Sequence, residues 1–164
     1  MSIMQAYSKY MTDFMNRAIE LSRAGMCAGE GGPFGAVIVR DGEIIAEGNN
    51  RVLITNDPTA HAEVIAIRRA TEKLGRFDLS DCELYTSCEP CPMCLGAIYW
   101  ARPRKVYYAN TASDAADIDF DDSFIYDEIA RPMSERSIPF ERTPRDDALA
   151  VFGEWADKSD KTPY

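Results

Sequence analysis

The chain has almost no histidine, no long apolar run, no stretch rich in glycine and serine, and no excess of positive charge. Each shortage removes a class of protein. The longest unbroken apolar stretches are short, such as Gly35-Ala36-Val37-Ile38-Val39, far below the roughly 20 residues that cross a bilayer. No membrane partner is therefore expected. No linker, internal repeat or low-complexity segment divides the 164 residues, a length that suits one domain with a sizeable core. Residues 1–164 are read as that domain. The first residues, Met1-Ser2-Ile3-Met4-Gln5, lack a basic segment followed by an apolar block and a small-residue cleavage site. That points to the cytoplasm. The formal net charge is −9, and residues 111–164 hold fourteen Asp and Glu against six Lys and Arg. A protein that grips polyphosphate needs Lys and Arg to neutralise it. An acidic last third argues against a nucleic-acid partner.

The five cysteines are Cys27, Cys82, Cys88, Cys91 and Cys94. An odd count, with three of them inside seven residues, does not resemble a disulfide framework. Without an export signal, a metal site or catalytic thiols fit better.

Apolar positions from Gln5 to Cys27 recur at helical spacing (Met11, Phe14, Met15, Ala18, Ile19) and predict a first helix, with Gly31-Gly32-Pro33 as its stop. Two apolar runs, Phe34 to Val39 and Ile44 to Ala46, flank Asp41-Gly42. That pair can take the positive φ angles of a type I′ turn, so a hairpin is predicted. Residues 49–59 read as a loop. Asp57-Pro58 then reads as the opening of a helix with apolar face Ile65, Ala66, Ala70 and Leu74, ended by Gly75. Residues 82–86 and 105–109 read as strands on either side of a helix from Pro92 to Trp100; helices are expected over 122–129 and 146–156. This alternation predicts a three-layer α/β/α sandwich with a central mixed sheet.

Two strings carry chemistry: His61-Ala62-Glu63 and Pro90-Cys91-Pro92-Met93-Cys94. Cys91 and Cys94 have the spacing at which two thiolates hold one Zn²⁺. Pro92 suits a first helical turn, which puts Cys91 at a helix start, where free N–H groups favour thiolates. Adding His61, the only histidine, gives three ligands. Tetrahedral zinc then keeps a fourth position for water, whose deprotonated form the cation stabilises. Attack by such a hydroxide also needs a proton carrier, and Glu63 suits it. Two residues on a helix are about 200° apart, so one ligand and one acid/base is the natural division of His61 and Glu63. Two other readings stay open here. Cys88 could complete a closed structural Cys₃His site in a binding module, though that leaves Glu63 without a task. A redox Cys-x-x-Cys would leave both His61 and Glu63 idle.

His-x-Glu followed by Pro-Cys-x-x-Cys is the signature of zinc nucleobase deaminases. With Gly32-Pro33-Phe34-Gly35-Ala36-Val37, Asn56 to Glu63, Thr86 to Arg102, Phe120 to Tyr126 and the closing Tyr164, nearly the whole chain resembles the cytidine deaminase superfamily, and within it the bacterial guanine deaminases. The resemblance implies one Zn²⁺ per chain on His61, Cys91 and Cys94, with Glu63 as proton shuttle and Cys88 not a ligand. It implies that backbone N–H groups near Ala62 and Cys91 stabilise the attacked centre, Asn50 hydrogen-bonds the base, Phe34 stacks on it, and Asp122 adds a polar contact or proton-transfer group. It further implies a homodimer whose residues 145–164 form an arm open to exchange between subunits, placing Tyr164 and Trp100 around the substrate. The implied reaction is hydrolysis of guanine at C2, a C–N bond of a cyclic amidine: activated water adds, Glu63 protonates N3, and ammonia leaves xanthine behind. Blander roles compete for the pocket residues. Phe34 and Trp100 could serve packing, Asn50 a turn, Asp122 a helix cap, and Tyr164 is terminal. A tRNA adenosine deaminase shares nearly the same strings, and cytosine or another base would need few changes in a pocket.

Overall fold

The computed structural model describes the backbone of residues 3–164 and the side chains of residues 12–164; the side chain of Met11 lies outside them. It falls into two compact units, Met1–Asp122 and Ser123–Tyr164.

In the first unit, α1 (Ile3–Cys27) precedes a hairpin of β1 (Gly35–Arg40) and β2 (Glu43–Asn49). Asp41 and Gly42 at its turn have φ of 52° and 80°, as a type I′ turn requires. The short α2 (Val52–Thr55) interrupts the expected loop, and α3 (Ala62–Leu74), β3 (Glu83–Cys88), α4 (Pro92–Ala101), β4 (Lys105–Asn110) and α5 (Ala112–Ala116) follow. The sheet order is β2-β1-β3-β4. β1 is antiparallel to both neighbours and β3 is parallel to β4, which makes the sheet mixed. Parallel neighbours need a crossover, and α4 supplies it.

Strand alternation sorts the core into two layers. Val37, Val39 and Tyr85 face Phe14, Met15 and Leu21 of α1. Ala36, Ile38 and Leu84 face Ala62, Ala66 and Ala70 of α3 and Ile98 of α4. Helices thus cover both faces, as the three-layer α/β/α sandwich requires. β1 is one continuous apolar run because it is central and covered on both sides. Small residues let α3 sit directly on the sheet. A Cβ at Gly48 would lie 2.3 Å from the Ala62 carbonyl oxygen and 2.7 Å from the Ala66 nitrogen. Gly48 therefore fixes the height of the first turn of α3.

Three local expectations need correcting. The first helix ends at Cys27 as expected, but Leu21 rather than the exposed Ile19 packs inward. Asp57-Pro58 does not start α3. Asp57 Oδ1 instead accepts from the Thr59 N–H at 2.8 Å and its hydroxyl at 2.7 Å, a side-chain turn that defers the helix to Ala62. The α5 helix was not expected, although Thr111 and Asp114 form its reciprocal cap.

The second unit holds α6 (Ser123–Ala130), a 3₁₀ turn (Met133–Glu135) and α7 (Asp146–Asp157). Glu128 ties its own helix to Ser137, accepting from the backbone at 2.7 Å and the hydroxyl at 2.9 Å. Its large apolar side chains, among them Phe124, Leu149 and Phe152, are exposed.

Arg17 of α1 donates to both carboxylate oxygens of Glu47 on β2, at 2.7 and 2.8 Å. That bond holds the Glu47 carboxyl below its ordinary 4.5. A carboxyl with a depressed folded-state pKa stabilises the fold above its unfolded pKa, and the gain disappears as pH falls through the folded value. Both side chains are partly exposed, so the pair is worth about 0.5–1 kcal/mol. Glu47→Gln should lower the urea midpoint accordingly at neutral pH. The two midpoints should converge once pH falls below the usual carboxylate range.

Candidate active site

Two helix N-termini and the middle of the sheet build the site. His61 is the N-cap residue of α3 and Cys91 the N-cap residue of α4, with Pro92 in the first turn. Both caps have extended backbone (φ −72°, ψ 155° and φ −62°, ψ 167°), so their side chains turn back across the helix starts. His61 Nδ1 lies 3.5 Å from Cys91 Sγ and 3.5 Å from Cys94 Sγ. The three donor atoms lie within 4.8 Å of one another.

This donor set fits zinc. With Zn–S near 2.3 Å and Zn–N near 2.0–2.1 Å, a tetrahedral ion has N···S edges of roughly 3.5 Å, the spacing found here. The thiol chemistry agrees. The Cys94 thiol bonded to the Cys91 sulfur, with His61 beside it, brings the Cys91 thiol down to about 4. Cys94 is pushed upward by that same sulfur and by burial. A cation among them would draw the second proton off as well, because metal coordination deprotonates a thiol outright. Cys88, the proposed fourth ligand of a closed site, stands outside this group. Its Sγ is directed at the Thr111 carbonyl oxygen, 3.6 Å away, and burial raises its thiol to about 11. The closed Cys₃His reading fails on that geometry.

Glu63, in the first turn of α3, is buried. Its Oε1 accepts from the Thr86 hydroxyl at 3.2 Å, and its Oε2 lies 3.4 Å from Cys94 Sγ. Burial raises its pKa, as desolvation must for a charged form. His61 and Glu63 do not point apart: one as the cap of α3 and the other from its first turn, they reach the same Cys94 sulfur at 3.5 and 3.4 Å. Ala62 is fully buried between them, and N–H groups of a first helical turn have no intrahelical acceptor.

The open end of the hairpin supplies Phe34 and Asn50. The Asn50 N–H donates to the Phe34 carbonyl at 3.0 Å, and Arg51 N–H to the Ala60 carbonyl at 2.9 Å. The second bond brings Asn50 beside His61 in the fold. Asn50 Oδ1 also accepts from the Val52 N–H at 3.2 Å, so the expected turn role is real and the amide nitrogen is the part left to meet a ligand. Phe34 packs on the core and meets Phe120 edge-on, centroids 5.0 Å apart. Asp122 is half-buried, and its carboxyl is raised by burial and by the Cys91 sulfur, which places it within electrostatic reach of the ligand set. Trp100 is exposed, nine residues beyond Cys91, roughly 13 Å along a helix rising 1.5 Å per residue. Tyr164 belongs to the second unit and is exposed.

Sequence reasoning missed Thr86, Phe120 and the Glu30 carboxylate, whose Oε2 accepts from Asn49 at 2.7 Å and Arg51 at 3.0 Å. The acid at Glu30 gave no motif. It braces the segment that carries Asn50.

Three donors that can hold one metal ion and a buried carboxylate beside them form the framework of a zinc hydrolase. The chain belongs to the cytidine and deoxycytidylate deaminase family, whose zinc-binding region matches residues 8–110. It is 59% identical to the guanine deaminase of Bacillus subtilis over 92% of this chain and 97% of that one. The crystal structure of that enzyme superimposes with a TM-score of 0.91 at 58% identity, covering 93% of this chain and 98% of the other. A tRNA-specific adenosine deaminase of Agrobacterium fabrum is 48% identical over 59% of this chain and 63% of its own.

Cys88→Ser should keep close to one zinc per chain, whereas Cys94→Ser should lose most of it. Elemental analysis of the purified variants checks both.

Proposed function

We propose that the chain is a guanine deaminase: it hydrolyses guanine to xanthine and ammonia at a site held by His61, Cys91 and Cys94. The observation that carries this is Glu63, buried and fixed 3.4 Å from one ligand sulfur with no ion pair to any basic side chain among the described residues. Zinc held there would supply the Lewis acidity that makes water nucleophilic near neutral pH. Glu63 takes a proton from the attacking water as the oxygen bonds to C2, and delivers it to N3. It then moves the hydroxyl proton to the exocyclic nitrogen, the C2–N bond breaks, and ammonia leaves a carbonyl at C2. A carboxyl raised by burial suits both directions of transfer, since its proton affinity lies nearer the working pH.

Phe34 stacks on the base, the Asn50 amide nitrogen donates to it, and N–H groups at Ala62 and Cys91 face the oxygen of the attacked centre. Asp122 contributes a polar contact or a proton. The surroundings favour a neutral base over a polyanion. Burial raises the Cys88 and Asp122 groups first, and the nearby acids Glu63, Glu89 and Asp114 at Cys88, with Asp121 and Glu89 at Asp122, add to it; a tRNA backbone would meet such acids unfavourably.

The working form is a homodimer. Its support is apolar surface: Tyr99 and Trp100 at the end of α4, and the Phe124, Leu149 and Phe152 side chains of the second unit, are exposed within one chain, and a monomer rarely leaves so much uncovered. Residues 145–164, which include α7, act as an arm that brings Tyr164 to the substrate of the other subunit. Trp100 contributes at the same junction. The five free cysteines suit a reducing cytoplasm.

Glu63→Ala should cut ammonia release from guanine by roughly 10²–10⁴-fold with zinc still close to one per chain. Absorbance assays of the parent protein should show turnover of guanine and none of a tRNA anticodon stem-loop. Turnover of the stem-loop alone would reverse the assignment.

A further inference from the structure

Thr86 lies at the centre of the sheet, paired with Ala36 of β1 on one side and Tyr108 of β4 on the other. It is 1% exposed, and its strand is held by hydrogen bonds on both edges, so its backbone has no freedom to move. A threonine is also stiff at χ1. Its hydroxyl is therefore a fixed point, and it donates to Oε1 of Glu63 at 3.2 Å. Glu63 sits on a long side chain whose rotamers would otherwise be free to swing the carboxylate. With Oε1 pinned, the plane of the carboxylate is set, and Oε2 is the oxygen turned toward the ligand cluster, 3.4 Å from Cys94 Sγ.

We propose that Thr86 is the positioning residue for Glu63: its hydroxyl holds Oε1 so that Oε2 alone faces the metal ligands and carries the protons. This rests on Glu63 as proton carrier. Thr86 touches neither substrate nor metal ligand in this role. It acts by cutting the number of orientations from which Oε2 must find the water and N3, and misplacement by an ångström is costly in catalysis. A buried carboxylate oxygen that loses its donor is also left to the site's other partners, which draws it off line.

Thr86→Val keeps shape and removes the hydroxyl; Thr86→Ser keeps the hydroxyl. On the full-length, zinc-replete protein, Thr86→Val should lower kcat roughly tenfold to a hundredfold, the range of a hydrogen bond to a charged group, with KM for guanine within about threefold and zinc close to one per chain. Thr86→Ser should recover most of that loss. A second readout needs no activity. Thermal unfolding of Thr86→Val, Glu63→Ala and the double variant should be non-additive, with the valine costing less once Glu63 is gone. A Thr86→Val protein with kcat within twofold of the parent, a serine variant as slow as the valine one, or additive midpoints would each overturn the proposal. Should the valine variant not fold, Thr86→Ser against Thr86→Ala makes the same comparison. Full turnover by Glu63→Ala sinks the proton-carrier reading itself. An inactive Glu63→Ala beside a fully active Thr86→Val sinks only the role of Thr86.

Discussion

The structure depends on two helices beginning at one place. α3 and α4 run from opposite flanks of β3 in sequence, yet their caps bring His61 Nδ1 and two cysteine sulfurs to 3.5 Å. Each helix start carries roughly half a positive charge and unsatisfied N–H groups. Two of them side by side make a pocket that favours thiolates, a developing oxyanion and the electron-rich edge of a purine. The same feature explains why the cysteines sit where they do. Cys91 is the cap and Cys94 lies one turn further, so both sulfurs can reach one ion from a single helix end.

Holding those starts together is a packing problem that the sheet solves. Ala36, Ala46, Ala62, Ala66 and Ala70 belong to one core cluster, and Gly48 leaves no room for a Cβ under the first turn of α3. Close approach by small residues fixes the height of α3 over the strands, which sets the height of His61 and Glu63. Thr86 then reaches from the strand into the helix. The sheet thus acts on the chemistry directly, through one hydroxyl, as well as by carrying the helices.

Much of this was legible in the residues. Asp41-Gly42 between apolar runs gave the hairpin, and the Cys-x-x-Cys spacing with a lone histidine gave the ligand set. What stayed hidden has physical causes. The sequence Asp57-Pro58 carries the ordinary signals of a helix start, but Asp57 spends its carboxylate on Thr59. The bond from Arg51 to Ala60, with those from Ala60 to Asp57 and His61 to Thr59, carries the chain to His61 before it turns helical. Thr86 stood in the family string without a role of its own, because a threonine inside a strand is ordinary; its role depends on what crosses above it from α3. Glu30 was equally mute, since its partners Asn49 and Arg51 are distant in sequence.

Charge bears on the choice between a small base and a nucleic acid as much as shape does. The family's metal chemistry serves free bases and tRNA alike, so the ligand set cannot choose between them. What surrounds the set can. Glu89, Asp114, Asp121 and Asp122 lie close enough to influence the cysteines or each other. A neutral heterocycle feels little of that field, whereas each phosphate of a tRNA would have to be brought against it.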